Sequence, residues 1–275
     1  MAKQSRLNIT SASRRYPPVG RCIYCGEQNK VLGDEHILPY AIAGNSLVLP
    51  KAGCRNCEKA NSAFELPIHR KQLGPLRTVL GFPTRNRRNR PTNINLGLGN
   101  FSKFEVGETA VHVGEIDVPI EKFPITFATI RLGPPGILLG LPLECPLPWS
   151  AFVRLVADEH RSPFQYGANV ARICAVNPFL TAQYLARIAY SYAVSELGYG
   201  TFQPLVLDLL KRKGGFFRHW VGGQLSVPPA NKLSLHTLEQ ETVLVGPHKY
   251  VVVTLRLFAN LGSPIHQVVV GQLDG

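Results

Sequence analysis

No stretch of the 275 residues approaches the roughly 18 to 20 uninterrupted apolar residues needed to cross a bilayer, so a membrane-spanning role is not expected. The opening MAKQSRLNITSASRRYPP is basic and polar and has no apolar central segment. It does not read as a secretory signal, and a cytoplasmic protein is expected. No internal repeat is present, and there is no glycine-rich loop of the P-loop or dinucleotide type. Charged residues are also sparse, at 17% against 45% apolar, which is a globular rather than a disordered composition. The length suffices for one large or two modest domains, each with a core of its own.

Acidic residues are scarce where basic ones are dense. Residues 1–100 hold 16 Lys and Arg against 5 Asp and Glu, a net +11, whereas residues 101–275 hold 14 against 13, a net +1. The positive field is therefore confined to the first third of the chain. It points to a polyanionic partner, nucleic acid first and an acidic membrane surface second. Residues 1–20, ending in Arg14-Arg15-Tyr16-Pro17-Pro18, read as a flexible basic arm. Arg70, Lys71, Arg77, Arg85, Arg87, Arg88 and Arg90 follow with no acid between Glu65 and Glu105. The arginine forks suit phosphate oxygens, giving affinity and salt dependence rather than sequence preference.

Six cysteines are present, and in a chain of this size without a signal peptide a metal or catalytic role is preferred to disulfides. Cys22 and Cys25 form one C-x2-C pair and Cys54 and Cys57 a second, with 28 residues between them. Two such pairs can present four thiolates to one tetrahedral zinc, which would close its coordination sphere and make it structural. Two disulfides or unrelated thiols are the alternatives. Cys145 and Cys174 stand alone among apolar neighbours and read as inert core thiols.

Between the pairs, Lys30-Val31-Leu32 and Leu47-Val48-Leu49 read as short strands, with Pro39 and Gly44 breaking any helix between them, so a hairpin with a long loop is expected. Residues from Cys54 onward show helical spacing that stops at Pro67. Glu35-His36 lies within this segment. A histidine beside a carboxylate can deprotonate water for attack on a phosphodiester, while the carboxylate holds Mg²⁺ or a similar ion against the phosphate.

CIYCG, DEHILP, GNSLVLP and CRNC, in this order, resemble the zinc-braced HNH endonucleases over residues 22 to about 80. The resemblance implies a ββα-metal fold in which His36 is the general base and Glu35 a ligand of the catalytic ion. It implies that Asn45 orients the histidine and that Cys22, Cys25, Cys54 and Cys57 bind structural zinc. One position departs from the pattern: the asparagine that follows the last cysteine in many members is Glu58 here. Glu58 or Asn61, one helical turn further, would complete the site for Mg²⁺ or Mn²⁺.

The uncharged stretch PTNINLGLGN suggests a boundary near residues 91–100. Beyond it, Phe104–Val113, Pro124–Leu132, Tyr250–Phe258 and Ile265–Val270 read as strands, Leu180–Leu197 as a helix stopped by Gly198, and Leu205–Lys213 as a shorter helix. His112, His160, His219, His236, His248 and His266 show no ligand spacing. The cluster Lys211–Trp220 has the composition to stack on bases but reads first as a surface loop.

The expected architecture is α+β. A basic arm (1–20) precedes a small zinc-stabilised HNH module (21–90), and a larger mixed α+β domain (100–275) recognises a target or partner. The expected activity is metal-dependent hydrolysis of nucleic acid, DNA in the first place, by a soluble protein that would need a homodimer or two successive events to cut both strands. The rival expectation is a degenerate HNH fold retained as a binding or adaptor module.

Overall fold

The computed structural model describes residues 5–9, 13–84, 91–100, 111–156, 161, 170–172, 176–211 and 215–273. Arg85, Arg87, Arg88 and Arg90 of the basic run lie outside these residues, as do Cys174, His160, Arg212 and Lys213.

The first part of the chain carries β1 (Ser5–Ile9), β2 (Arg14–Arg15), β3 (Leu32–His36), the single turn α1 (Tyr40–Ala43), β4 (Leu47–Cys54), α2 (Arg55–Pro67) and α3 (Gly74–Val79). β3 and β4 form an antiparallel hairpin in which His36 opposes Val48 and Leu32 opposes Cys54. The register shifts between Gly33 and Glu35. That irregularity lets β4 run on past Pro50, where the sequence predicts an end. Residues 50–52 form the bulged side, and a proline there removes no ladder donor. β3 likewise begins later and extends further than the apolar run Lys30–Leu32, because its polar residues find partners described below. The basic segment from Arg14 runs alongside β4: Arg14, Tyr16, Val19 and Gly20 N–H groups donate to Ser46, Val48, Pro50 and Lys51 carbonyls.

α2 passes at Pro67 into a π-helical turn, Ile68–Gln72, closed by Leu73 N–H to Ile68 O at 2.8 Å. The sequence reading places the helix end correctly, but the chain keeps winding and carries the same helical surface one turn further.

The remainder comprises β5 (Asn93–Asn100), β6 (Val111–Pro119), β7 (Ile125–Leu132), β8 (Trp149–Val156), β9 (Val170–Arg172), α4 (Pro178–Leu197), β10 (Gln203–Pro204), α5 (Leu207–Leu210), β11 (Val221–Gly223), β12 (His236–Val245), β13 (His248–Leu257) and β14 (His266–Leu273). The uncharged stretch read as a boundary forms β5, paired with β6 and β9. The helix expected over 205–213 is one turn. β12, β13 and β14 form an antiparallel meander with β1 added beside β12 and β10 and β11 beside β14. In β13, Val251, Val253 and Leu255 face the main core while Tyr250 and Val252 face a smaller cluster, the alternation a pleated strand imposes.

α4 is the central element. Asn177 caps it by accepting from Leu180 N–H at 3.0 Å, and Gly198, at φ +98°, ends it. Every residue from Thr181 to Val194 is buried. The helix packs on α2, on β13 and β14, and on β7, so one apolar core takes in residues from Tyr16 to Val270. Helices and strands are both abundant, as the α+β class requires. Among the described residues no helix is long and apolar enough to cross a membrane.

Candidate functional site

The two C-x2-C pairs meet because the first lies in a turn pinned to the end of β4. Gly26 N–H donates to Cys22 O at 2.8 Å, with Gly26 at φ +76°, a conformation that favours glycine. Ile23 N–H donates to Ala52 O at 2.8 Å. Cys54 ends β4 and stands at the N-cap of α2, whose first turn supplies Cys57. All four Sγ atoms lie within 4.8 Å of one another, and those of Cys25 and Cys54 are 3.8 Å apart. Sulfurs bonded at about 2.3 Å to a tetrahedral ion sit roughly 3.8 Å apart, whereas a disulfide would bring them to about 2.05 Å. The thiols are free, and the cluster could coordinate a metal ion. Among the described residues no other group of three or more His, Cys, Asp or Glu ligand atoms gathers in this way.

Glu35 and His36 end β3 and open on a cleft of about 410 Å³. Its opposite wall is α2 and the π turn, where Glu58, Ser62, Glu65 and His69 recur at helical spacing on one face. Arg70 and Arg77 complete the basic side. Asp34 also lines the cleft and pairs with Arg15 at 2.8 Å.

Beneath the cleft lies a buried charge network. Arg187 of α4 forms an ion pair with Glu35 Oε1, and its Nε stands 3.2 Å from Glu65 Oε1. The second contact is an ion pair without the alignment of a hydrogen bond, since neither atom counts a hydrogen-bond partner. Arg187 Nη1 also donates to Ile37 O at 3.1 Å, and Tyr24 OH donates to Glu35 Oε1 at 2.6 Å. Burial works against the charged guanidinium, but Glu35 and Glu65 outweigh it and raise its pKa. Glu65 shifts the other way for an acid: burial pushes its carboxyl up, against the opposing pull of Arg187. Gly53 leaves room for Glu35, because a Cβ there would stand 3.3 Å from Glu35 Oε2. His69 is held by Tyr184 OH at 3.0 Å from its Nε2, and burial, reinforced by Arg77 and Arg187, lowers its pKa to about 3.

The expected site residues distribute as follows. Glu35, His36 and Glu58 line the cleft together, Glu58 being exposed. Asn61 is buried, its Nδ2 has no hydrogen-bond partner, and it is not part of the cleft lining. Asn45 is exposed, two residues before β4, and does not line the cleft either. Arg70 and Lys71 are exposed, as phosphate contacts must be. Arg77 is committed elsewhere: it donates to the carbonyls of Ala41, His69 and Pro83 at 2.7, 3.0 and 3.1 Å, stapling α3 to α1.

Sequence reasoning missed Glu65, His69, Arg187 and Tyr24. Arg187 carried a signal nonetheless. It is the sole charge in the central sixteen residues of a twenty-residue apolar helix, and a charge placed there has to be paired. Comparison of the chain with protein-family models, with curated proteins and with solved structures finds no match.

Proposed function

We propose that the chain is a zinc-braced endonuclease of the HNH type, hydrolysing phosphodiester bonds of nucleic acid, DNA in the first place. The observation that carries this reading is Glu35-His36 at the end of β3, lining one cleft with Glu58, the residue that follows Cys57 of the four-cysteine cluster in α2. The order supports it, with β3 and β4 lying between the two cysteine pairs and α2 starting at the second, as does the basic excess of residues 1–100. Zinc is the metal proposed for the cysteines, since four thiolates at these distances suit it.

In this mechanism the phosphodiester enters between β3 and α2, with Arg70 at the rim offsetting phosphate charge. His36 takes the proton from the attacking water, a role worth about 10² to 10⁴ in rate. A divalent ion, Mg²⁺ or Mn²⁺, would neutralise charge on the scissile phosphate, and Glu35 and Glu58 are the carboxylates that would hold it. Arg187 and Tyr24 fix Glu35 in one orientation, so that the carboxylate does not reorganise as the substrate binds. The test is nicking of supercoiled plasmid by wild type and His36→Ala.

One observation favours a second reading. Glu35 Oε1 is already engaged by Arg187 and Tyr24, and no second group of metal ligands is gathered among the described residues. A module that keeps the cysteine cluster and binds nucleic acid without cutting it would look the same, and nicking decides between the two.

A further inference from the structure

Tyr24 belongs to two neighbourhoods. Its hydroxyl holds Glu35 at the cleft, while the same residue lines a separate cavity of about 280 Å³ next to the cysteine cluster. We propose that this cavity binds the base of an unpaired nucleotide, with its phosphate at Lys211 and Arg21.

The walls determine the chemistry. Tyr199, 38% exposed, presents aromatic surface, with the buried rings of Tyr190 and Phe202 behind it; Val194 and Leu207 add apolar area, and Lys211 is the one charged lining residue among the described residues. Arg21 places its guanidinium over the Tyr199 ring, 5.1 Å from the centroid, and so brings a second cation to the same rim. Among the described residues no carboxylate, carboxamide or imidazole lines the cavity, while Cys25 of the cysteine cluster does. The Tyr190 hydroxyl is already spent, donating to Ile23 O at 2.8 Å. A sugar would find few hydrogen-bonding side chains here, chiefly the Tyr199 hydroxyl and Lys211, and an aliphatic chain would leave the two cations unused. A flat ring with an anionic tail uses both features.

The scarcity of polar side chains among the described lining has a further consequence: few groups are there to read base edges, so recognition rests mainly on stacking and tolerates any base. A base stacked inside a duplex cannot enter. The substrate class is therefore nucleic acid with unpaired nucleotides, single strands or the frayed ends and loops of duplexes. The polymer's identity rests on the reading of the cleft above, whereas the cavity's preference for a planar anion rests on its own lining.

The test uses the full chain and fluorescein-labelled oligo-dT and oligo-dA, with a blunt duplex as control, followed by anisotropy. Tyr199 is 38% exposed and Lys211 is exposed, so Tyr199→Ala and Lys211→Glu should fold normally, checked by an unchanged melting temperature. Each variant should weaken oligo-dT binding about tenfold, within the range for losing one stacked base, and leave duplex binding unchanged. Oligo-dA should bind within a few-fold of oligo-dT. Single-strand affinity unaltered in both variants, or an equal loss for single strand and duplex, overturns the proposal. Absence of nicking alongside Tyr199-dependent binding would sink the nuclease reading alone, and nicking alongside Tyr199-independent binding would sink only this one.

Discussion

Arg187, in the middle of the most deeply buried helix, forms its ion pair with Glu35 on the strand between the two cysteine pairs. Both are nearly inaccessible, at 5% and 6% exposure, so neither charge has water to fall back on. Removing one member of such a pair strands the other and costs about 3 to 5 kcal/mol. Arg187→Met should lower stability by that order in urea denaturation. Combined with Glu35→Gln it should cost clearly less than the sum of the two single changes, since the two side chains touch. Additive losses would show that the ion pair is not the coupling.

The basic residues divide into two kinds. Arg77→Ala removes donors to three carbonyls and should destabilise the fold by about 1 to 3 kcal/mol without changing how nucleic-acid affinity responds to salt. Arg70→Ala should leave stability unchanged and reduce the slope of log affinity against log salt by about 1. Thermal melts and anisotropy titrations at several salt concentrations read both quantities. The reverse pattern would overturn the division.

His236 and His266 set an acid limit. His236 Nε2 lies 3.2 Å from Ile42 O while its Nδ1 accepts from Phe258 N–H at 3.1 Å, which defines a neutral ring. His266 Nε2 lies 2.8 Å from Ile130 O. Burial lowers both to about 4 from 6.5, against the smaller opposing pull of those carbonyls. The folded values lie below the unfolded one, so the unfolded chain takes up protons that the native chain refuses. Stability should therefore be level with respect to these rings above about pH 6.5 and decline as pH falls toward 4, by roughly 3 kcal/mol for each ring. His236→Gln should make the decline shallower, and a decline identical to wild type would refute the assignment.

Metal content tests the cysteine cluster. One equivalent of zinc per chain should be found after purification, and Cys54→Ser should lose it together with a drop of several degrees in melting temperature. A metal-free wild-type chain that melts normally would contradict the assignment.

What was legible in the sequence is uneven, for physical reasons. The four cysteines were readable because metal ligation fixes both residue type and spacing. α4 was readable because Leu180, Tyr184, Ile188 and Tyr192 recur at i+4 and Gly198 stops the run. The ends of β3 and β4 were not, because a bulge carries β4 through Pro50, which local propensity reads as a stop. The charge network escaped because its members lie far apart in the chain: Glu35 reads as a metal ligand, and only α4 brings Arg187 to it. Arg77 looked like its basic neighbours, and only the carbonyls around it mark its different role.

The central claim is that His36 at the end of β3 does phosphodiester chemistry. Supercoiled plasmid incubated with the full chain and Mg²⁺ or Mn²⁺ tests it most directly. Nicked product should form with wild type and fall by about 10² or more with His36→Ala, while plasmid binding by the two proteins stays equal. Nicking that is absent, or that His36→Ala leaves intact, would contradict the account and leave the chain as a binding module.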